Sequence, residues 1–409
     1  MELLLQSLKN VFLIVTTLSF IIISLRNAYN GLLFYLVCLI LCSFTGFERA
    51  IYYESYLVPC VLAAKVLFNG NAKVSPSLIL LLLYVVAISL ANNLNPFPIS
   101  NPIFFGLVLL LFIDNIITNE RKRVYMIALL WCYVLAKMLW YIIYSPNPFA
   151  IQMLGDRLLE VNSTLITSSD SFRGGLDPNY FGYLMGSGFL ISILGFLYYD
   201  NLVQYFKHVW VKYLLLLVAS LELFFSLKGL SRCVFLAEVG AICTLLLLSG
   251  GKNRKYAIVG ALGFTLFVFV SGVWDMLHSR FVGHNSASRL ALAKNVLSSM
   301  YSWNGTLGYL LGGGTSFSWN KYSMDSFLHS FALYSTHSSW LTILINYGVI
   351  GFSLFISVII KKVKGILSRL KVDWLSRVML VLFVYFSLVS MSLEPLMSVY
   401  GWLLLIAVL

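Results

Sequence analysis

The sequence predicts an all-α fold: a polytopic transmembrane helical bundle of about twelve spans with partly helical outer loops. Three observations predict it. Hydrophobic residues make up 60% of the 409 and charged residues only 11%, where soluble chains carry roughly 25% charged residues. The apolar residues are clustered into stretches near the ~20 residues that a bilayer-crossing helix needs. Basic residues gather in alternate short connections, the pattern that orients membrane proteins. A cytosolic enzyme and a disordered scaffold are excluded, and the net charge of +12 is first a statement about topology. The excess does not lie on one folded face, so no nucleic-acid partner is implied.

The candidate spans are 10–25, 30–47, 77–93, 102–118, 124–144, 178–199, 211–227, 233–249, 255–273, 340–360, 376–393 and 396–409. Leu3 to Ser24 runs on without a small-residue cleavage pattern, so it reads as the first span and not as a signal peptide. A further apolar stretch, 50–68, contains Glu54, Pro59 and Lys65. A charge near the bilayer centre costs at least ~2.5 kcal/mol, so this stretch is expected to be re-entrant or interfacial. The organisation is N-terminal spans (1–144), a first large outer loop (145–177), central spans (178–273), a second large outer loop (274–339) and C-terminal spans (340–409).

Loops 119–123, 200–212, 250–255 and 361–377 together hold fourteen Lys or Arg against three acids and are assigned to the cytoplasm. Loops 94–101, 145–177, 228–232 and 274–339 then lie outside. Twelve spans put both termini inside and Arg26 outside, against the charge rule; thirteen put the N-terminus outside. The six cysteines (Cys38, Cys42, Cys60, Cys132, Cys233 and Cys243) lie in or beside apolar segments without a C-x-x-C pair, so neither a disulfide framework nor a zinc site is expected. Lys137, Glu222 and Glu238 fall inside spans and should face the protein interior. Gly182, Gly186 and Gly188 should let the helix beginning at 178 pack closely.

Chemistry is sought in the outer loops. His278, His284, His329 and His337 share the loop 274–339 with Arg280, Arg289, Lys294 and Lys321. The histidines are too far apart for a metal site, which wants close spacings such as i, i+4. His337, where the loop enters a span, would sit at the membrane–water boundary. There an imidazole with an ordinary pKa near 6.5 can take a proton from an attacking hydroxyl. Arg232 follows the short turn Lys228-Gly229-Leu230-Ser231. Its fixed donors suit a lipid pyrophosphate, or else snorkel to phospholipid headgroups.

Leu290, Ala293, Leu297 and Met300 recur at helical spacing, with Arg289 on the edge of the stripe. That pattern predicts a helix lying in the interface. In the loop 145–177, acids surround Arg157 and Arg173, and Asp177-Pro178-Asn179 reads as a helix start able to help hold an anion. Leu311-Gly312-Gly313-Gly314-Thr315 lacks the Gly-Lys-Ser/Thr ending of a nucleotide loop and reads as a turn lining the site. Glu394, before Pro395, is an alternative carboxylate base.

Together these segments resemble the bacterial O-antigen polymerase and O-antigen ligase superfamily over residues 170–360. The resemblance rests on Asp177-Pro178-Asn179-Tyr180-Phe181, Ser231-Arg232, Ser288-Arg289-Leu290 and Leu311-Gly312-Gly313-Gly314. Its most specific element is His337-Ser338 followed by Gly348 and Gly351. Ala293 stands four residues after Arg289, where ligases of the family often carry leucine. The resemblance implies a multi-pass protein of the bacterial inner membrane acting at its periplasmic face. There Arg232 and Arg289 would bind the undecaprenyl pyrophosphate of a lipid-linked glycan, and His337 would assist the acceptor hydroxyl.

Arg173, Asp177, Asn179, Arg280, Lys228 and Ser338 are the further substrate-binding candidates. No cofactor and no metal is implied, and the partners are the lipid-linked glycan, membrane lipid and a chain-length regulator protein. Two long outer loops, of 33 and 66 residues, leave room for two lipid-linked glycans. That favours a polymerase over the alternative, a ligase acting on lipid A-core. A flippase or transporter would put charge along a path through the spans, where this chain has few charges.

Overall fold

The computed structural model describes residues 2–45, 48–70, 72–95, 102–145, 148–149, 178–206, 208–270, 272, 274–275, 278, 287–330 and 335–409. Among the described residues all regular structure is helical, with no strand. Before the first large loop come α1 (Glu2–Arg26), α2 (Ala28–Thr45), α3 (Glu48–Phe68), α4 (Pro76–Ala91), α5 (Ile103–Ile116) and α6 (Glu120–Tyr144). The central group is α7 (Pro178–Leu197), the single turn α8 (Tyr199–Leu202), α9 (Trp210–Lys228), α10 (Arg232–Leu248) and α11 (Gly251–Val270). Within the second large loop lies α12 (Ala287–Leu311), and α13 (Ser339–Leu367), α14 (Trp374–Val389) and α15 (Val399–Val408) complete the order.

Five helices (α6, α7, α9, α11 and α13) are long and apolar enough to cross a membrane. The expectation of about twelve is met only in part, and the reason is length. α5, at 14 residues, reaches about 21 Å at 1.5 Å per residue, short of a hydrocarbon core of about 30 Å.

Polar contacts sort the helix ends into two groups. Asn119 caps α6 by accepting from the Lys122 N–H at 2.9 Å, and Asp373 caps α14 through the N–H groups of Leu375 and Ser376. Beside these caps, Glu120 accepts from the Trp374 indole at 2.9 Å and from the Tyr205 hydroxyl at 3.2 Å. Arg123 donates to the Ala407 carbonyl at 2.9 Å. Lys212 and Lys252 stand over Phe196 and Tyr256, whose rings meet at 6.1 Å. The four lysine- and arginine-rich connections therefore share one end of the bundle, as their charge predicts. At the other end, among the described residues, Lys228 meets Pro148, Thr315 meets Ser89 and Thr336 meets Glu394.

Glu48–Phe68 is one continuous helix packed against α1, α2 and α5; of the re-entrant and interfacial placements expected for this stretch, that removes the re-entrant one. The Tyr29 hydroxyl donates to the Lys122 carbonyl at 3.0 Å, so the α1–α2 turn with Arg26 lies at the basic end. The Lys73 N–H donates to Asn115 Oδ1 at 2.8 Å, which puts the α3–α4 connection at that same end. The chain leaves the basic end along α2 and can return only along α3.

At the centre, α7 packs closely on α9, and its glycines make room for carboxyl groups. A Cβ on Gly188 would fall 2.4 Å from Glu222 Oε1, and one on Gly186 would fall 2.7 Å from Glu238 Oε1. Both glutamates are fully buried, as expected of charges within the helices. Their cost is offset by hydroxyl donors. Ser192 donates to Glu222 at 2.6 Å and accepts from Trp131 at 2.7 Å, while Ser226 donates to Glu238. Lys137 is buried too, its Nζ 5.7 Å from the centre of the Tyr133 ring.

Candidate active site

The turn between α9 and α10 is tight. Gly229 and Leu230 N–H groups donate to the carbonyls of Ser226 and Leu227, and Leu230 takes a left-handed backbone at φ +46°, uncommon for a branched side chain. This turn fixes Arg232 as the first residue of α10, half-buried. Its neighbour Cys233 contacts the Val389 carbonyl through Sγ at 3.5 Å, which ties the start of α10 to the end of α14. Lys228, expected to bind substrate, is only 5% exposed. Its Nζ donates to the Pro148 carbonyl at 2.5 Å and lies 5.3 Å from the centre of the Tyr141 ring. It fastens α6, α9 and the start of the first outer loop together.

His337 sits in the loop that enters α13, also left-handed, at φ +55°. Its N–H donates to Ser335 Oγ at 3.1 Å, and its Nδ1 lies 3.4 Å from the same oxygen. Ser335 in turn donates to Glu394 Oε2 at 2.5 Å. The second oxygen, Oε1, accepts from the Thr336 N–H at 3.1 Å and lies 2.8 and 2.7 Å from the Thr336 and Thr342 hydroxyls. Glu394, read from the sequence as an alternative base, is thus committed to ordering the histidine loop.

Ser338 caps α13, accepting from the Leu341 N–H at 3.4 Å and donating to the Ser390 carbonyl at 3.1 Å. Ser339 donates its N–H to the carbonyls of Ser390 and Leu393. The placement of Arg232 and His337 follows. Cys233 rests on the Val389 carbonyl and Ser338 on the next carbonyl along, Ser390, so the residues preceding them, Arg232 and His337, flank one corner at the end of α14. Asn179, half-buried, lies on the first turn of α7 beside Tyr180, whose hydroxyl bonds Ser398 a few residues past Glu394.

Arg289 is on the first turn of α12, and its side chain lies outside the described residues, as do Arg173, Asp177, Arg280 and His284 altogether. Of the three expected catalytic residues, Arg232 and His337 each adjoin a residue held at the end of α14, and Arg289 is placed only by its backbone. His329 is exposed, with its Nε2 2.7 Å from the Ser323 carbonyl. His278 stacks on Trp274 with ring centres 6.1 Å apart. Among the described residues no three His, Cys, Asp or Glu side chains are grouped to hold a metal.

The second outer loop forms a folded cap. α12 is helical as its periodicity predicts, but its buried face centres on Val296 and Met300. These pack with Trp319, Leu328 and Ile345 and not on lipid. Its end, the glycine-rich turn expected to line the site, is buried inside a break in α13. Gly348, at φ +62°, interrupts that helix, and the N–H groups of Gly313 and Gly314 reach the carbonyls of Ile345 and Asn346 at 2.9 and 2.7 Å. A break in a helix orphans carbonyl groups, and here the intruding turn satisfies them. Tyr84 donates to the Leu311 carbonyl at 2.9 Å, and Thr315 is bound by Ser89 and Tyr347.

Sequence reasoning missed Ser335, Thr336, Thr342 and Ser390 as the scaffold of the histidine. The run of small hydroxyl residues on both sides of His337 was the available signal. Compared with known proteins, the chain matches no family model, no curated protein and no solved structure.

Proposed function

We propose that the chain is a surface-polysaccharide (O-antigen) polymerase, a glycosyltransferase that moves a growing glycan from undecaprenyl pyrophosphate to a lipid-linked repeat unit. The observation that supports the reading is that the residues following Arg232 and His337 are both held on neighbouring carbonyls at the end of α14, with Glu394 organising the histidine loop. The donor's bond to pyrophosphate is already activated, so the protein has mainly to hold a departing anion and aim a hydroxyl. His337 takes the acceptor hydroxyl's proton while its oxygen forms the new bond to the anomeric carbon. The bond from that carbon to the pyrophosphate oxygen breaks, and undecaprenyl pyrophosphate leaves on Arg232 and Arg289. Attack opposite to the leaving group inverts the anomeric carbon, and no metal is required.

In this reading thirteen helices cross the inner membrane, α3 included, with the basic end in the cytoplasm and the corner of Arg232 and His337 facing the periplasm. Positive charge on the cytoplasmic side supports that orientation, and Arg26 then obeys the rule it would break with twelve spans.

Loss of the gene distinguishes the activities on one lipopolysaccharide gel. A polymerase leaves single repeat units attached to lipid A-core. A ligase leaves full-length polymer on undecaprenyl pyrophosphate, and that pattern would replace the polymerase reading. For Glu394→Ala, which releases Ser335, Thr336 and Thr342, polymer output should fall roughly 100-fold, the cost of a displacement of about 1 Å at a reacting group. Undiminished chain length on the same gel would remove Glu394 from the site.

A further inference from the structure

A cleft opens sideways between α7, α9, α10 and α11, running from the middle of these helices toward the basic end. Its walls are apolar: Phe189 and Ile193 from α7, Leu223 from α9, Leu245 from α10, and Gly260 and Phe264 from α11. The glycine helps to leave the space open, since a Cβ on Gly260 would meet nothing within 4 Å. α11 leans on the bundle chiefly through α10 and shows Val259, Leu262 and Leu266 to the surroundings, as a helix facing lipid does.

Charge at the mouth of the cleft identifies the occupant. Tyr256 belongs to the lining, and Phe196 meets it edge-to-face at 6.1 Å. Lys252 Nζ lies 5.7 Å from the Tyr256 ring centre, and Lys212 Nζ lies 5.4 Å from that of Phe196. Arg254 and Lys255 are exposed on the same end of α11, and the loops 200–212 and 250–255 contain one acid, the exposed Asp200. Paired ammonium groups above an apolar slot at bilayer depth match an anionic headgroup with a hydrocarbon tail. The lining from α7 and α10 lies in their halves nearest the basic end, and that from α9 continues inward to Leu223 and Phe224; the lysines at the mouth are at the opposite end of the helices from Arg232 and His337.

We propose that this cleft seats one acyl chain of an anionic phospholipid from the leaflet at the basic end, its phosphate held between Lys212 and Lys252. The full chain, purified in detergent, is examined by native mass spectrometry with phosphatidylglycerol or phosphatidylcholine added at equal concentration. The wild type should retain one phosphatidylglycerol in preference to phosphatidylcholine, and the double substitution Lys212→Ala, Lys252→Ala should cut that retention by about tenfold. Gly260→Trp, which fills the slot and leaves the lysines in place, should reduce retention of both lipids. Equal retention of the two lipids by the wild type overturns the proposal. So does undiminished phosphatidylglycerol retention in both variants, or its displacement by inorganic phosphate alone.

Discussion

Arg232→Ala is expected to abolish long glycan chains while the protein stays in the membrane at its normal level. Removing a single donor from a site that stabilises developing negative charge costs roughly 100- to 1000-fold in rate. Arg232 is exposed enough at the start of α10 that alanine leaves the helix intact. Arg232→Lys should recover only part of the output, since lysine keeps the charge and loses the rigid fork of donors.

His337 requires a more careful substitution, because its backbone is left-handed at φ +55°. Alanine there would combine loss of the imidazole with backbone strain, whereas asparagine tolerates that conformation. His337→Asn should therefore fold normally and still make no polymer. The readout is chain length on a lipopolysaccharide gel beside an immunoblot of the membrane fraction. Normal chain lengths in both Arg232→Ala and His337→Asn would end the enzymatic reading.

The second large effect is on folding. Gly312→Ala places a Cβ 2.3 Å from the Gly348 nitrogen and 2.6 Å from Tyr347 backbone atoms, at a residue with φ +77°. Neither neighbour is the movable end of a side chain. The variant should lose about 4 kcal/mol or more, in the range of the most damaging single substitutions, and should leave little monodisperse protein on size exclusion. Gly305→Ala is the control. Its φ is also positive, at +54°, but nothing lies within 4 Å of the added carbon, so only the conformational cost of about 1–3 kcal/mol applies. Equal behaviour of the two variants would mean that the docking of the turn into α13 contributes little.

The architecture was legible where a local signal determines it. Hydropathy located the helices, and the clustering of Lys and Arg identified which connections share an end. At α3, the charged residues Glu54 and Lys65 and Pro59 pointed to a broken segment, where the chain forms one continuous helix. What the sequence did not reveal is that the chain returns along this helix to the end occupied by Lys122. The stripe on α12 was legible, since Leu297 and Met300 do lie on its packed face, but that face meets Trp319 and Ile345 together with Val296, contacts that no local spacing reveals.

Within the site, Arg232 and His337 could be singled out because each stands where a loop meets a helix. The part played by Glu394 could not, since it depends on hydroxyls more than fifty residues away. The glycine turn likewise resembled an exposed loop. Backbone-to-backbone docking into a distant helix leaves no periodicity to read.

That docking links the motions of the two parts. Because Gly313 and Gly314 replace missing rungs of α13 only a few turns below His337, the folded cap and the imidazole belong to one rigid body. Swinging the cap aside would strip two carbonyls of their donors and tilt the first turns of α13. Any rearrangement beside His337 is therefore expected to come from other segments, with the histidine loop and the docked glycine turn moving together.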